Sequence, residues 1–320
     1  MLNDEQTKKY IDLLINYEGN PNWLNNFHQY RKSLIPNKIY RYRTISSYNL
    51  KALKRNYIWL NSPEKFNDVY DCILNIDSRV LLLYNILNNH LYKDTPFNKQ
   101  EIEMLLQAEG QIKTGKMTVE GFISYLKQDD NHILHEKLTT SPVFKSYKDI
   151  YDCLKQFDLV SEPYSRIFVK CKLACFSETY DNILMWSHYA KYNKGFCIEY
   201  DTSKCREVTK NLYPVLYVSE PTFCPKLMND YADGKADISI SQTLFSTIKF
   251  KDWQYEKEWR LFGGEQSIKM PALPTCIYLG ANIKQYDQKK LCKIADKLDI
   301  PVKKMKVIEG QYKLVADNIS

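Results

Sequence analysis

Between Phe168 and Asp201 the apolar pattern changes period twice, and that change limits what the chain can build. Phe168 to Phe176 and Gly195 to Asp201 read as strands, while Asn182 to Lys191 between them has the spacing of a short helix. Trp186, Ser187, His188 and Tyr189 are consecutive in that helix and spread around a single turn. His188 follows Leu184 by four residues and Tyr189 follows Met185 by four, so the turn supports two readings, one facing the core and one lining a site.

The remaining chain extends the same alternation. Asn3 to Tyr17 and the segment carrying Trp23, Phe27 and Tyr30 are two leading helices, separated by Gly19-Asn20-Pro21, and they occupy residues 1–37. From Lys38 the period is that of a strand through Arg43; Ser46 or Ser47 can cap a helix carrying Leu50 and Leu53, and Tyr57 to Leu60 returns to strand. Asn61 to Asp68 is turn-rich. Residues 78–160 turn helical, with candidate helices at 81–91, 100–109, 119–127 and 147–157, and read as an insertion into a core formed by 38–77 and 161–320. Beyond it a strand is expected at Tyr213 to Ser219 and a helix around Gln242 to Lys249. Further strands are expected at Trp253 to Phe262, Cys276 to Leu279, Val302 to Val307 and Tyr312 to Val315, with a helix on Leu291, Ile294 and Leu298. The fold class is α+β: a mixed, largely antiparallel central sheet with a helical insertion and two leading N-terminal helices.

Composition narrows the function classes. The 320 residues are 44% hydrophobic, enough for a packed core, and no apolar run approaches the ~20 residues that span a bilayer. The opening MLNDEQTKKY lacks the basic-then-apolar order of a signal peptide, and nine scattered cysteines suit reduced thiols, so a cytoplasmic location without membrane partners is expected. The abundance of Tyr, Asn, Lys and Ile follows the residue usage of an AT-rich bacterial genome. A net charge of +7 with acidic residues interleaved does not demand nucleic-acid binding, although a local basic face keeps it open.

Few constellations carry chemistry. Cys171 and Cys175 share a strand face, but no further ligand pair follows at metal spacing, so no metal is expected. Gly263-Gly264 is not followed by Gly-Lys-Ser, which excludes a P-loop. Cys175 lies in an apolar strand with no cause for a lowered pKa, which argues against a cysteine nucleophile. Glu256, Glu258 and Arg260 fall at spacings of two, a row on one strand face. Exposed, such a row is a solvated edge of little energetic weight. In a cleft, the two carboxylates can separate their pKa values and divide the work of base and cation holder.

Taken together, several of these runs resemble one family. Tyr-Arg-Tyr-Arg at 40–43, Leu60-Asn61-Ser62-Pro63 through Phe66-Asn67-Asp68, Cys-Phe-Ser-Glu at 175–178, Met-Trp-Ser-His-Tyr-Ala at 185–190, Gly-Phe-Cys-Ile-Glu-Tyr-Asp at 195–201 and Tyr-Glu-Lys-Glu-Trp-Arg at 255–260 are similar in order and spacing to the bacterial Domain of Unknown Function 2971 family. The resemblance spans Lys38 to Gly280 and departs at Val69, where the family usually has proline.

A looser resemblance, to ADP-ribosyltransferase-type domains, implies a mechanism. In those domains a His or Arg on the first strand holds NAD, a central element bears Ser or Tyr, and a late strand carries a catalytic Glu. The resemblance implies Arg43, with Tyr42 beside it, as the group holding the phosphate or ribose. It implies Ser177 and Tyr189 in the nicotinamide pocket, Trp186 or Tyr189 stacked on the leaving ring with His188 beside them, and Glu258 with Glu256 as the catalytic carboxylates. The expected function is then an NAD-using enzyme that modifies a macromolecular target or hydrolyses NAD, as a stress or phage-defence effector. Two other classes stay open: a metal-dependent nuclease or hydrolase using His188, Glu256, Glu258 and Asp68, and a non-catalytic module binding a nucleotide or partner through Trp186, His188 and Tyr189.

Overall fold

A computed structural model describes residues 1–15, 22–68, 71–72, 116–128, 132–140, 172–219, 243–244 and 246–319, with five single positions between 101 and 111. The chain divides into two compact units, one of Met1–Cys72, Lys170–Glu220 and Ser246–Ser320, the other of Ile73–Val169 and Pro221–Phe245.

The first unit opens with two helices, α1 (Asp4–Ile15) and α2 (Trp23–Ser33), joined by an edge-on contact of Tyr10 and Phe27 at 5.2 Å. The sheet follows: β1 (Lys38–Arg43), helix α3 (Ser47–Arg55) and β2 (Tyr57–Trp59). Ser46 caps α3 by accepting from the Asn49 amide. After a 3-10 turn at Pro63–Lys65, the second unit contributes α4 (Val119–Leu126) and α5 (His132–Thr140), with Lys137 Nζ 2.7 Å from the Glu101 carboxylate. The expected helices at 81–91 and 147–157, and Val69 and Cys171, lie outside the described residues. The first unit then resumes with β3 (Lys172–Ser177), α6 (Ile183–Tyr189), β4 (Phe196–Asp201), α7 (Arg206–Lys210), β5 (Leu212–Pro214) and β6 (Leu216–Val218). It closes with β7 (Ile248–Phe250), β8 (Glu258–Gly263), β9 (Ser267–Lys269), β10 (Pro274–Leu279), α8 (Gln285–Leu298), β11 (Val302–Val307) and β12 (Leu314–Asn318).

Eight strands form one sheet in the order β12-β11-β10-β4-β1-β3-β8-β5, antiparallel at every step except β10 with β11. The expected fold class is the observed one. Strand alternation sorts the side chains into two cores. Ile39, Phe176, Ile198, Trp259 and Ile277 pack with Leu291 and Ile294 of α8 on one face, and Tyr40, Tyr42, Cys197 and Tyr278 pack with Met185 and Trp186 of α6 on the other. Arg31 pins α2 to this body: its guanidinium donates to the carbonyls of Thr209 and Lys210, which end α7, and covers the Tyr213 ring at 4.3 Å.

One irregularity positions the site. β1 pairs with β4 along six residues and β3 with β8 along six, yet β1 and β3 share only the pair Tyr40 and Ser177. Beyond that pair the sheet opens between them. Asn61 closes the far end, exchanging backbone hydrogen bonds of 2.9 and 3.0 Å with Leu173.

Three sequence expectations are corrected. The strand expected over 213–219 breaks at Val215, whose amide donates to the Glu258 carbonyl, and its halves join two different sheets. The helix expected over 242–249 gives way at its end to β7, which pairs in parallel with β6, because tertiary pairing outweighs a weak helical period. The strand expected from Trp253 begins only at Glu258. Lys251–Glu256 is a 3-10 segment, and Lys257 turns the chain through a left-handed conformation at φ 45°.

Gly195 sits where a Cβ would collide with the Arg43 carbonyl oxygen, whereas one at Gly264 would meet nothing within 4 Å. Gly195→Ala is expected to cost about 1–3 kcal/mol, read as a lowered Tm in a thermal melt, with Gly264→Ala close to neutral as the control.

Candidate functional site

Where the sheet opens between β1 and β3 lies a cleft of about 500 Å³, within the roughly 300–1,000 Å³ usual for small-molecule sites. Among its lining residues, β1 supplies Arg41, Tyr42 and Arg43, β3 supplies Cys175 and Ser177, and α6 supplies Met185, His188 and Tyr189, with Asn67, Asp71, Lys249, Glu256 and Glu258 from other segments. α6 is aimed at the cleft by its N-cap: Asn182 Oδ1 accepts from the amides of Leu184 and Met185, while its Nδ2 donates to the Tyr255 carbonyl at 3.1 Å.

One wall is a buried ionic network. Lys249 Nζ lies 2.6 Å from Glu256 Oε2, 3.1 Å from Glu258 Oε2 and 3.4 Å from Asp71 Oδ2. Arg260 holds Glu258 through Nε at 2.8 Å and Asp71 through Nη2 at 2.7 Å, and its Nη1 donates to the Ser246 carbonyl at 2.7 Å and to Cys72 Sγ. Three carboxylates thus share two cations. Burial and the neighbouring Glu258 push the Glu256 carboxyl up to about 6. Burial acts the same way on Glu258, but Arg260 and Lys249 overcome it and hold that carboxyl far below the usual range. Glu256 is also the network's link to the cleft, since the Tyr189 hydroxyl donates to its Oε1 at 2.6 Å and accepts from Asn67 Nδ2 at 3.3 Å.

The opposite wall is cationic. Arg41 is 7% exposed, donates to the Trp59 carbonyl at 3.0 Å and stacks over Phe176 at 5.4 Å. Among the described residues neither Arg41 nor Arg43 has a carboxylate within salt-bridge distance. Burial lowers the pKa of Arg41 and the Arg43 charge lowers it further. Two adjacent guanidinium groups without counter-ions are expensive to bury, and an anionic ligand removes that cost.

Of the residues singled out in the sequence, Arg43, Tyr42, Ser177, His188, Tyr189, Glu256 and Glu258 all line this one cleft. Trp186 does not. Its indole is fully buried, donates to the Tyr180 carbonyl at 2.7 Å and meets the Tyr42 ring edge-on at 5.3 Å, so the expected stacking on a leaving ring is replaced by core packing. Tyr42 has a buried ring, with its hydroxyl donating to the Thr179 carbonyl at 2.9 Å. The Ser177 hydroxyl donates to the Glu256 carbonyl at 2.7 Å, which pins the glutamate rather than freeing the serine. His188 stands exposed at the cleft, 6.4 Å from the Tyr255 ring.

Glu256 and Glu258 are 3% and 4% exposed, so the solvated-edge reading falls. They face one site although they are not on one strand, because the left-handed Lys257 swings Glu256 back beside Glu258. Cys175 opens onto the cleft with its thiol pushed up by burial and by Glu258. For metal chemistry, the carboxylates converge on the Lys249 ammonium, and among the described residues no group of three His, Cys, Asp or Glu is arranged to hold an ion. Sequence reasoning missed Arg41, Lys249 and Asp71. Arg41 was legible as the residue two before Arg43 on the same strand, whereas Lys249 and Asp71 carry no local signal.

The segment from α6 into β8, which brings Tyr189, Lys249, Glu256 and Glu258 together, is also the one that the family comparison matches. Residues 185–261 match the family described as Protein of unknown function (DUF2971). The match supports the family that the sequence motifs resemble, over a narrower span than Lys38 to Gly280. No curated protein and no solved structure matches the chain. The matched residues carry Lys249, Glu256, Glu258 and the α6 side of the cleft, while Asp71 and the β1 arginines lie outside them.

Removing Lys249 leaves buried carboxylates facing one another. Lys249→Met is expected to cost about 3–5 kcal/mol, measured by urea unfolding, whereas Asn67→Ala at the exposed rim is expected to cost under about 1 kcal/mol. Glu256 binds its proton more tightly folded than unfolded, so its contribution to stability is present at low pH and falls as pH rises from about 4.5 to about 6. Glu256→Gln is expected to flatten that part of the stability–pH curve.

Proposed function

We propose that the cleft binds NAD and that the chain is an ADP-ribosyltransferase-like enzyme, transferring ADP-ribose to a macromolecule or to water. The observation that carries this reading is the opposite charge of the two walls: unpaired Arg41 and Arg43 on one, Glu256 and Glu258 on the other. NAD has the matching polarity, a diphosphate at its centre and a cationic nicotinamide ring at one end. The arginines would take the diphosphate as charge-assisted partners. Tyr189 and His188 would flank the ring.

The reaction breaks the bond between the ribose anomeric carbon and the nicotinamide nitrogen, and the ring leaves neutral with the bonding pair. Positive charge develops on the ribose, where the permanently ionised Glu258 stabilises it electrostatically. The nucleophile's hydrogen is lost as its bond to the anomeric carbon forms, and Glu256 is suited to accept that proton because its pKa lies near the working range. Tyr189 presents the Glu256 carboxylate to the cleft.

Release of nicotinamide by the purified protein tests the reading. Glu258→Gln is expected to lower the rate by about 10²-fold or more; an unchanged rate in that variant rejects the assignment, and NAD binding without turnover in the parent reduces the protein to a binding module. Arg41→Met separates binding from folding. It is expected to weaken NAD binding by at least about tenfold, the loss of one charge-assisted contact, while leaving Tm unchanged or higher, since a buried unpaired charge is removed.

A further inference from the structure

We propose that the surface formed by the turn after α6 and the exposed face of α8 binds single-stranded nucleic acid. The turn is a strained element. Lys191, Tyr192 and Asn193 have φ of 50°, 57° and 62°, three successive non-glycine residues in the left-handed region, where each is disfavoured by about 1–2 kcal/mol. It is held by backbone bonds from Tyr192 to the Ser187 carbonyl, from Asn193 to the Trp186 carbonyl and from Gly195 to the Ala190 carbonyl. The amide of Asn282 donates to the Asn193 carbonyl at 2.9 Å, and a Cβ at Gly280 would collide with that same carbonyl. The result is a rigid pedestal that carries the Tyr192 ring 73% exposed, between the exposed Lys191 and Lys194.

Asn282 lies three residues before α8, so the turn stands beside the start of that helix, at the end of the sheet between its two faces. Tyr286, 70% exposed, stands in the first turn of α8, with Lys290 over its ring at 3.9 Å. Lys289, Lys293 and Lys297 are exposed at four-residue spacing, a single stripe with a rise of about 6 Å per step. Among the described residues, none of Lys191, Lys194, Lys284, Lys289, Lys293 and Lys297 has a carboxylate within salt-bridge distance. Residues 281–300, which include α8, hold five Lys against three Asp, a net +2.

Unpaired cations in a row suit a chain of phosphates, and two exposed tyrosine rings on fixed supports suit unstacked bases, which a duplex does not offer. An acidic protein surface would use the lysines and leave the rings without a role. The inference does not rest on NAD chemistry and is tested without NAD.

Fluorescence anisotropy of a labelled oligothymidylate with the full chain reads it directly. Binding is expected to weaken with salt. Joint replacement of Lys289, Lys293 and Lys297 by Gln is expected to lower the log–log salt slope by about 2, at about 0.7 per phosphate contact. Tyr192→Asn with Tyr286→Ser is expected to lower affinity by about tenfold or more at unchanged slope, from base stacking of about 1–3 kcal/mol each. Equal Tm values establish that the variants are folded. The proposal is overturned by any of three results: no binding at low salt, a duplex or heparin competing as well as the single strand, or a tyrosine variant that binds like the parent.

Discussion

The Lys249 ammonium, buried among Glu256, Glu258 and Asp71, ties together stretches of chain that share no hydrogen-bonded ladder. β7 brings the lysine, the 3-10 segment and β8 bring the glutamates, and the chain after the Asn67 turn brings the aspartate. Each carboxylate would be intolerable in that environment by itself. Arg260 completes the arrangement from the neighbouring strand position, and the two cations against three anions leave a residual negative charge directed into the cleft. That residue of charge separates the two glutamates: Glu258 is fully engaged by cations, and Glu256, engaged on one oxygen, offers the other to Tyr189.

The cleft depends on a different departure from regularity. A sheet that remained paired between β1 and β3 would have buried its backbone edges against each other and left no room for a ligand. One registered pair, Tyr40 with Ser177, keeps the strands adjacent, and the opening beyond it exposes Arg41 and Arg43 on one side and the floor of β3 on the other. Backbone strain occurs at Lys257 and at Lys191–Asn193, where side chains rather than glycines occupy the left-handed region. The first aims Glu256; the second supports Tyr192.

Much of this was legible in the chain. The alternation at Lys38–Arg43, the capping Ser46, the short helix that bears His188 and Tyr189, and the α8 pattern of Leu291 and Ile294 appear where period and capping put them, since those signals are local and are backed by burial. Reading failed where long-range partners decided. The segments around Val215 and Lys249 took their conformations from pairing with chain remote in sequence. The tryptophan in Trp-Ser-His-Tyr turned inward because Tyr42 and Tyr180 waited for it. A single helical turn exposes some of its residues and buries others, and spacing does not say which.

Sequence alone determined the α+β class, the antiparallel bias, and the set of residue types from which a charged site could be made, because hydrophobic period and residue chemistry are properties of short windows. Tertiary structure alone decided that β1 and β3 part, that Arg41 stands unpaired beside Arg43, and that Lys249 and Asp71 meet the two glutamates. Those facts depend on strand order and on charges brought together from distant parts of the chain, and their energies exist only once the intervening water is gone.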